Sequence, residues 1–308
     1  MQYNSLTPKT LDIFLTQSTS PISRFQIRSA YGAPSNLDGN GQIVAIIDAF
    51  SSPYMQSDLD QYSSAFQLPS TKLHFAFPPF NYSAPENPPP AYDFDWAGEE
   101  SLDLEAVHGI APKATLVYIG ATSAADMDLL SALNYVLEYK VANIVSNSYA
   151  DPLYGNRGLS PSVVAHVKVT EDILLQGVAL GVGVYTASGD NGDGSTENFG
   201  EGYVDVLTPL YFAASPNAIA VGGTTLAIND KGGREAEFGW GTLQCTTPKG
   251  LKGRCTFWGG SGGGVANTFA TPWYQKGNRQ ARLILKARGF GSGRVVPDVA
   301  AIGDPFTG

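Results

Sequence analysis

A mostly parallel α/β sheet with helices on both faces is what this sequence predicts. Short runs of aliphatic and β-branched residues recur without polar alternation, as strands buried on both faces require. Between them lie longer stretches of helical texture, and this strand–helix rhythm calls for parallel pairing. A chain of 308 residues is long enough to bury a large core.

Residues 1–40 are interrupted by Pro8, Pro21 and Pro34, with a short helix expected from Ile22 to Tyr31. They are read as a segment packing on one domain of residues 41–308. Gly39-Asn40-Gly41 turns into Gln42 to Asp48, a continuous apolar run and therefore a central strand. Asp48 closes that strand, where open α/β sheets place functional groups, although capping the next turn would explain it equally well. Ser57 to Phe66 reads as helix, and residues 78–92 as a Pro-rich loop. Further strands are expected at Thr115–Ile119, Asn143–Ser148, Val182–Ala187 and from Ala218 to Val221. Met127–Tyr139 and Val163–Gly177 supply the helices between them. From residue 230 glycine-rich loops dominate.

The segment from Trp96 to Pro112 reads as one helix with a Gly109 stop and a Pro beyond it. Glu99 and Asp103 are four residues apart on one face, which Ala106, Val107 and Ile110 continue as an apolar stripe. Ser101, Glu105 and His108 fall on the opposite, water-facing side. Two acids on the inward side cost desolvation and mutual repulsion, which points to a use for them, although acid pairs at this spacing are commonly just solvated.

Composition excludes several classes. The net charge of -9, from 19 basic and 28 acidic residues, argues against nucleic-acid or anionic-membrane partners. No apolar window is long enough to span a bilayer, and Met1–Thr10 lacks the character of a signal peptide. Cys245 and Cys255 can close a short disulfide loop in an oxidising compartment. No Cys-x-x-Cys, histidine cluster or phosphate loop occurs, so no metal or nucleotide site is expected. His108, at a helix end, is read as a surface or packing residue rather than a base. The acids Asp48, Glu99, Asp103 and Asp190 remain.

These acids lie within motifs that resemble one family. They are Ile46-Ile47-Asp48, Gly98 to Glu105, Ile110-Ala111-Pro112, Ile144 to Ser148 and Ala187-Ser188-Gly189-Asp190. Ala213 to Pro216, Ala220 to Thr225, Ser261 to Gly264, Pro272 to Gln275 and Pro297 to Ala300 follow in order. Together they resemble the sedolisins, or serine-carboxyl peptidases, which are acid-acting proteases of subtilisin-like fold. The resemblance implies Glu99 as general base, Asp103 as its orienting acid and Asp190 as a protonated donor at the oxyanion site. It implies a supporting place for Asp48, expected to hydrogen-bond Glu99, and substrate-binding roles for Ser148, Tyr149 and Gly189. Activity is expected to rise as pH falls toward about 4, the range of a carboxylate base.

One expected part is missing. The family's nucleophilic serine lies downstream of the Pro-Asp-Val segment, and Pro297-Asp298-Val299 is followed only by residues to Gly308. Thr307 does not match it, and Ser261 occupies a loop of another role. The chain is therefore expected to be an incomplete catalytic domain. The resemblance further implies a peptide or protein substrate, secretion, a propeptide, a C-terminal segment and calcium bound in that segment. No cofactor is expected within residues 1–308. The alternative is a non-catalytic, protease-like binding module.

Overall fold

The computed structural model describes residues 22–78, 90–150, 161–192, 209–246 and 254–307. Pro8, Pro21 and most of the Pro-rich loop lie outside them. In chain order the elements are α1 (Arg24–Ala30), β1 (Ile43–Ala49), α2 (Met55–Ala65), β2 (His74–Ala76) and α3 (Phe94–Ile110). Then come β3 (Thr115–Ala121), α4 (Asp126–Glu138), β4 (Ile144–Asn147), α5 (Pro161–Leu180), β5 (Gly183–Ala187) and β6 (Ile219–Ile228). The remainder is β7 (Arg234–Gly239), β8 (Gly241–Thr246), β9 (Arg254–Gly260), β10 (Gly264–Ala266), α6 (Trp273–Lys276), α7 (Arg279–Ala287), β11 (Arg294–Val296) and β12 (Val299–Ile302).

The main sheet has the order β12-β6-β5-β4-β1-β3-β2, all parallel, and β7 adds antiparallel to β6. Beta-branched runs form its centre because both sheet faces are covered, and β1 shows how. Ala45, Ile47 and Ala49 enter one core with the buried leucines of α4, whereas Val44 and Ile46 enter a second with Leu59 of α2 and Leu104 of α3. The period of two then dictates where polar residues at the strand ends point. Asp48 shares parity with Val44 and Ile46, so it faces α3. Tyr118 packs in the α2–α3 core by the same rule. Truncating Leu104, 1% exposed, would cost about 2–5 kcal/mol.

The rotation of α3 differs from the sequence expectation. Its buried residues are Glu100, Asp103, Leu104, His108 and Gly109, whereas Ala106 and Ile110 are exposed. Leu104 packing under β1 and β3 sets this rotation, and His108 follows one turn later. His108 is therefore not on a water-facing side. It is fully buried, with Nε2 3.1 Å from the carbonyl of Pro69. Gly109 does not stop the helix either. It lies in the last turn, where a Cβ would come 2.7 Å from the Tyr62 hydroxyl, and Ala111 caps the end. At the other end the Asp93 side chain accepts from the amides of Asp95 and Trp96.

In the hairpin β8–β9, Cys245 and Cys255 are register partners, and Cys255 is disulfide-bonded. Among the described residues no helix is long and apolar enough to cross a membrane.

Candidate active site

β5, β4, β1 and β3 are consecutive in the sheet, and their carboxyl ends carry the polar residues of interest. Strand order reverses across β1, because β3 lies on one side and β4 on the other. Open α/β sheets bind ligands at such a point, outside the carboxyl ends of the strands.

Asp48 ends up buried there with neither carboxyl oxygen hydrogen-bonded. The expected hydrogen bond from Asp48 to Glu99 is thus not formed. Desolvation raises its pKa well above the usual carboxylate range, helped by Asp103, Glu99 and Glu100 in that order. A buried carboxyl without a cation or donor is held as the neutral acid.

Glu99 and Asp103 approach from α3. Ser148, the first residue beyond β4, has the right parity to face the helix, and its hydroxyl donates to Asp103 Oδ1 at 2.8 Å. Asp103 is buried and its Oδ2 accepts nothing. Its pKa is raised to about 6 by desolvation, against which the Ser148 hydrogen bond pulls downward. Glu99 is half-buried and raised to about 7, first by desolvation, then by Asp103 and last by Asp190, again opposed by Ser148. The two acids therefore keep protons to higher pH than free carboxyls do, up toward neutrality.

Asp190 follows β5 at the rim of this cluster, and partial desolvation raises its pKa too. Its loop is clamped by the glycine-rich stretch after β9. The amide of Gly260 donates to the Asp190 carbonyl at 2.7 Å, and that of Gly262 to Gly189 at 2.6 Å. Ser188 Oγ donates to the Gly262 carbonyl at 2.8 Å. A Cβ on Gly262 would sit 1.8 Å from the Ser188 carbonyl oxygen, so only glycine permits this joint. Gly189, at φ 97°, makes the turn that brings Asp190 round.

Glu99, Asp103, Asp190, Asp48 and Ser148 are thus brought together. Tyr149 is turned inward, buried edge-on against Phe212 with ring centroids 5.5 Å apart. Ser261 is engaged elsewhere, accepting from the amide of Gly223 at 2.9 Å. The sequence reading missed Glu100, which accepts from the Ser52 amide and contacts the Tyr118 hydroxyl. Following Leu104 rather than Glu99 along α3 would have found it, since residues 100, 104 and 108 share a stripe. Among the described residues no group of three or more His, Cys, Asp or Glu is placed to hold a metal ion.

The chain is 31% identical to kumamolisin of a Bacillus species over 298 residues, spanning 95% of this chain and 48% of kumamolisin. It is 26% identical over 232 residues to tripeptidyl-peptidase SED2 of Arthroderma otae, spanning 68% of this chain and 34% of that protein. It therefore spans about half or less of these curated relatives. Among solved structures, Pseudomonas sedolisin, a serine-carboxyl proteinase complexed with two molecules of pseudo-iodotyrostatin, shares the fold. The TM-score is 0.73 at 22% identity, over 94% of this chain and 73% of that one. No family model matches the chain. Sequence similarity along nearly its whole length, with a fold that agrees, makes this chain a member of the sedolisin family, the serine-carboxyl peptidases.

Proposed function

We propose that these residues form the larger part of the catalytic domain of an acid-acting serine endopeptidase. Glu99 is its general base, Asp103 orients Glu99, and protonated Asp190 donates to the developing oxyanion. The observation that carries this reading is the placement of Glu99 and Asp103 on one helix beside the carboxyl ends of β1 and β4, with Asp103 braced by the Ser148 hydroxyl. One ionised oxygen in that pair suffices to take the proton of an attacking serine hydroxyl. That serine is assigned to sequence beyond residue 308. A peptide substrate would lie along the strand ends at Ser148 and Gly189, with Tyr149 packing beneath rather than touching it. Asp48 contributes a neutral carboxyl under the pair.

The raised values of Glu99 and Asp103 move the base's loss of a proton above that of a free glutamate. The acid limb of activity is accordingly expected in mildly acidic solution rather than near pH 4. Secretion, a propeptide and a calcium loop after the serine belong to the same reading, and no residue of 1–308 is assigned to them.

A second reading, a non-catalytic protease-like binding module, is favoured by the engagement of Ser148 with Asp103 and of Ser261 with Gly223. The test is proteolysis of an unfolded protein at acid pH by the gene product extended past residue 308. Glu99→Gln should lower kcat/KM by about 10²–10⁴-fold, and an active-site serine label should mark a residue beyond 308. Asp190→Asn keeps a donor without needing protonation, so it should retain activity and extend it to higher pH. An extended protein that binds peptides but never cuts them would establish the second reading instead.

A further inference from the structure

Glu100 neighbours the proposed base, is fully buried, and has no part in the chemistry above. Its Oε2 accepts from the backbone amide of Ser52 at 2.9 Å. Its Oε1 lies 3.0 Å from the hydroxyl of Tyr118 on β3. That same hydroxyl lies 2.9 Å from the carbonyl oxygen of Phe50. Phe50 is the first residue after β1 and sits at φ 66°, a left-handed conformation that a non-glycine residue keeps only when its surroundings enforce it.

Counting hydrogens decides the state of Glu100. A tyrosine hydroxyl has one hydrogen, and here three oxygens lie beside it: those of Glu100, Phe50 and, more distantly at 3.4 Å, the Ala49 carbonyl. It satisfies only one of the two close ones. The Phe50 carbonyl brings none, and the Ser52 amide is already directed at the other carboxyl oxygen. An ionised Glu100 would leave one buried oxygen–oxygen contact with no hydrogen between the atoms. One more proton removes the conflict, and the carboxyl is the group that can carry it. Glu100 then donates to Tyr118, Tyr118 donates to Phe50, and Glu100 accepts from Ser52.

The charges around it agree. Desolvation raises the Glu100 pKa, and the contacts with Ser52 and Tyr118 oppose it. Asp93 at the start of α3 adds to the rise, and Asp48 on β1 feels the Glu100 charge. Glu99 and Asp103 belong to the same helix. No Lys, Arg or His forms an ion pair with Glu100 among the described residues.

We infer that Glu100 is a positioning residue held as a neutral carboxylic acid, relaying through Tyr118 to Phe50 and so tying α3 to the ends of β1 and β3. The tie fixes the rotation of α3 that presents Glu99 and Asp103 to Asp48 and Ser148. The inference rests on the peptidase reading only for what Glu99 and Asp103 do.

Carboxyl titration of protein labelled with ¹³C at its glutamate side chains tests the relay without any activity. Besides the signal of Glu99, one further signal should titrate above a free glutamate, whose pKa is about 4.3. It should vanish in Glu100→Gln and persist in Glu99→Gln. The amide of Glu100→Gln can still donate to Tyr118 and accept from Ser52, so its Tm should match the parent at pH 4 and exceed it at pH 7. Glu100→Ala should melt earlier at both. In the extended, proteolytically active protein, Glu100→Ala should lower kcat at nearly constant KM, with Glu100→Gln restoring it. A Glu100 signal titrating like free glutamate would overturn the inference. So would a Glu100→Gln variant as unstable as Glu100→Ala at pH 4. A protein without peptidase activity would leave the titration intact and refute only the reading of Glu99 and Asp103.

Discussion

The Ser148 hydroxyl donates to Asp103 Oδ1 across 2.8 Å, joining a strand end to a helix 45 residues earlier in the chain. That hydrogen bond favours the charged form of Asp103, and it opposes the rise of Glu99 as well. The acid pair is therefore tuned by a neutral group from a different element.

Ser148→Ala removes that donor from a buried carboxylate. Hydrogen bonds to charged groups contribute about 1.5–3 kcal/mol, so the pair should hold its proton about one pH unit higher or more. The acid limb of kcat/KM in the extended protein should move up by that much. A profile superimposable on the parent's would show that the hydroxyl does not govern the base.

Stability should be greatest in acid. Asp48, Glu99, Glu100 and Asp103 all have pKa values raised in the folded chain. Each contribution is complete below the unfolded pKa, near 4 for such groups, and is lost as pH rises through the folded value. For Asp103 and Glu99 that places the loss between about pH 4 and about pH 6 to 7. Thermal melts at pH 4 and pH 7 should show the higher Tm at pH 4. The opposite order would mean these carboxyls are ionised and paired with something unseen here.

The β8–β9 hairpin should answer to reductant. Closing a ring of this size restricts the unfolded chain by about 3 kcal/mol. The same hairpin ends in Gly260, whose amide holds the Asp190 carbonyl. Reduction, or Cys255→Ser, should lower Tm by several degrees and weaken acid proteolysis more than peptide binding. Unchanged melting after complete reduction would remove the disulfide from the stability of this region.

Gly262→Ala should be far more damaging than an ordinary loop substitution. The added carbon would overlap the Ser188 carbonyl oxygen at 1.8 Å, and because that atom is backbone, one of the two loops must retreat. Loss of the Gly262–Gly189 hydrogen bond and displacement of Asp190 should follow. Gly291→Ala, where a Cβ meets nothing within 4 Å, is the control. Equal melting temperatures for the two variants would contradict the close approach.

Much of this fold is legible in the sequence. Apolar runs such as Ile43–Ile47 mark strands because burial on both faces leaves no position for water. The short edge strand β2 escaped notice because three residues, two of them exposed, carry no period. Past residue 230, where glycine-rich loops are expected, β7 to β12 and two helices form instead, and β12 pairs with a strand far away in sequence, β6. On α3 the spacing of Glu99 and Asp103 was readable, yet the rotation was not. Leu104 and His108 outweighed Ala106 and Ile110, and a helix with acids on several sides offers no single polar face. Glu100 was hidden for that reason. Its partners Ser52 and Tyr118 sit on a turn and a strand that only the register of β1 with β3 brings to it.

The joint between Ser188 and Gly262 spans 74 positions along the chain. Contacts between such distant stretches wait until both have been synthesised and have docked, after local helices and neighbouring strands have formed. A nascent polypeptide that has emerged only as far as β7 already owns its acid pair but cannot yet fix the loop of Asp190. Ribosomal order alone thus delays the placement of Asp190 beside the acid pair until the final quarter of this sequence arrives.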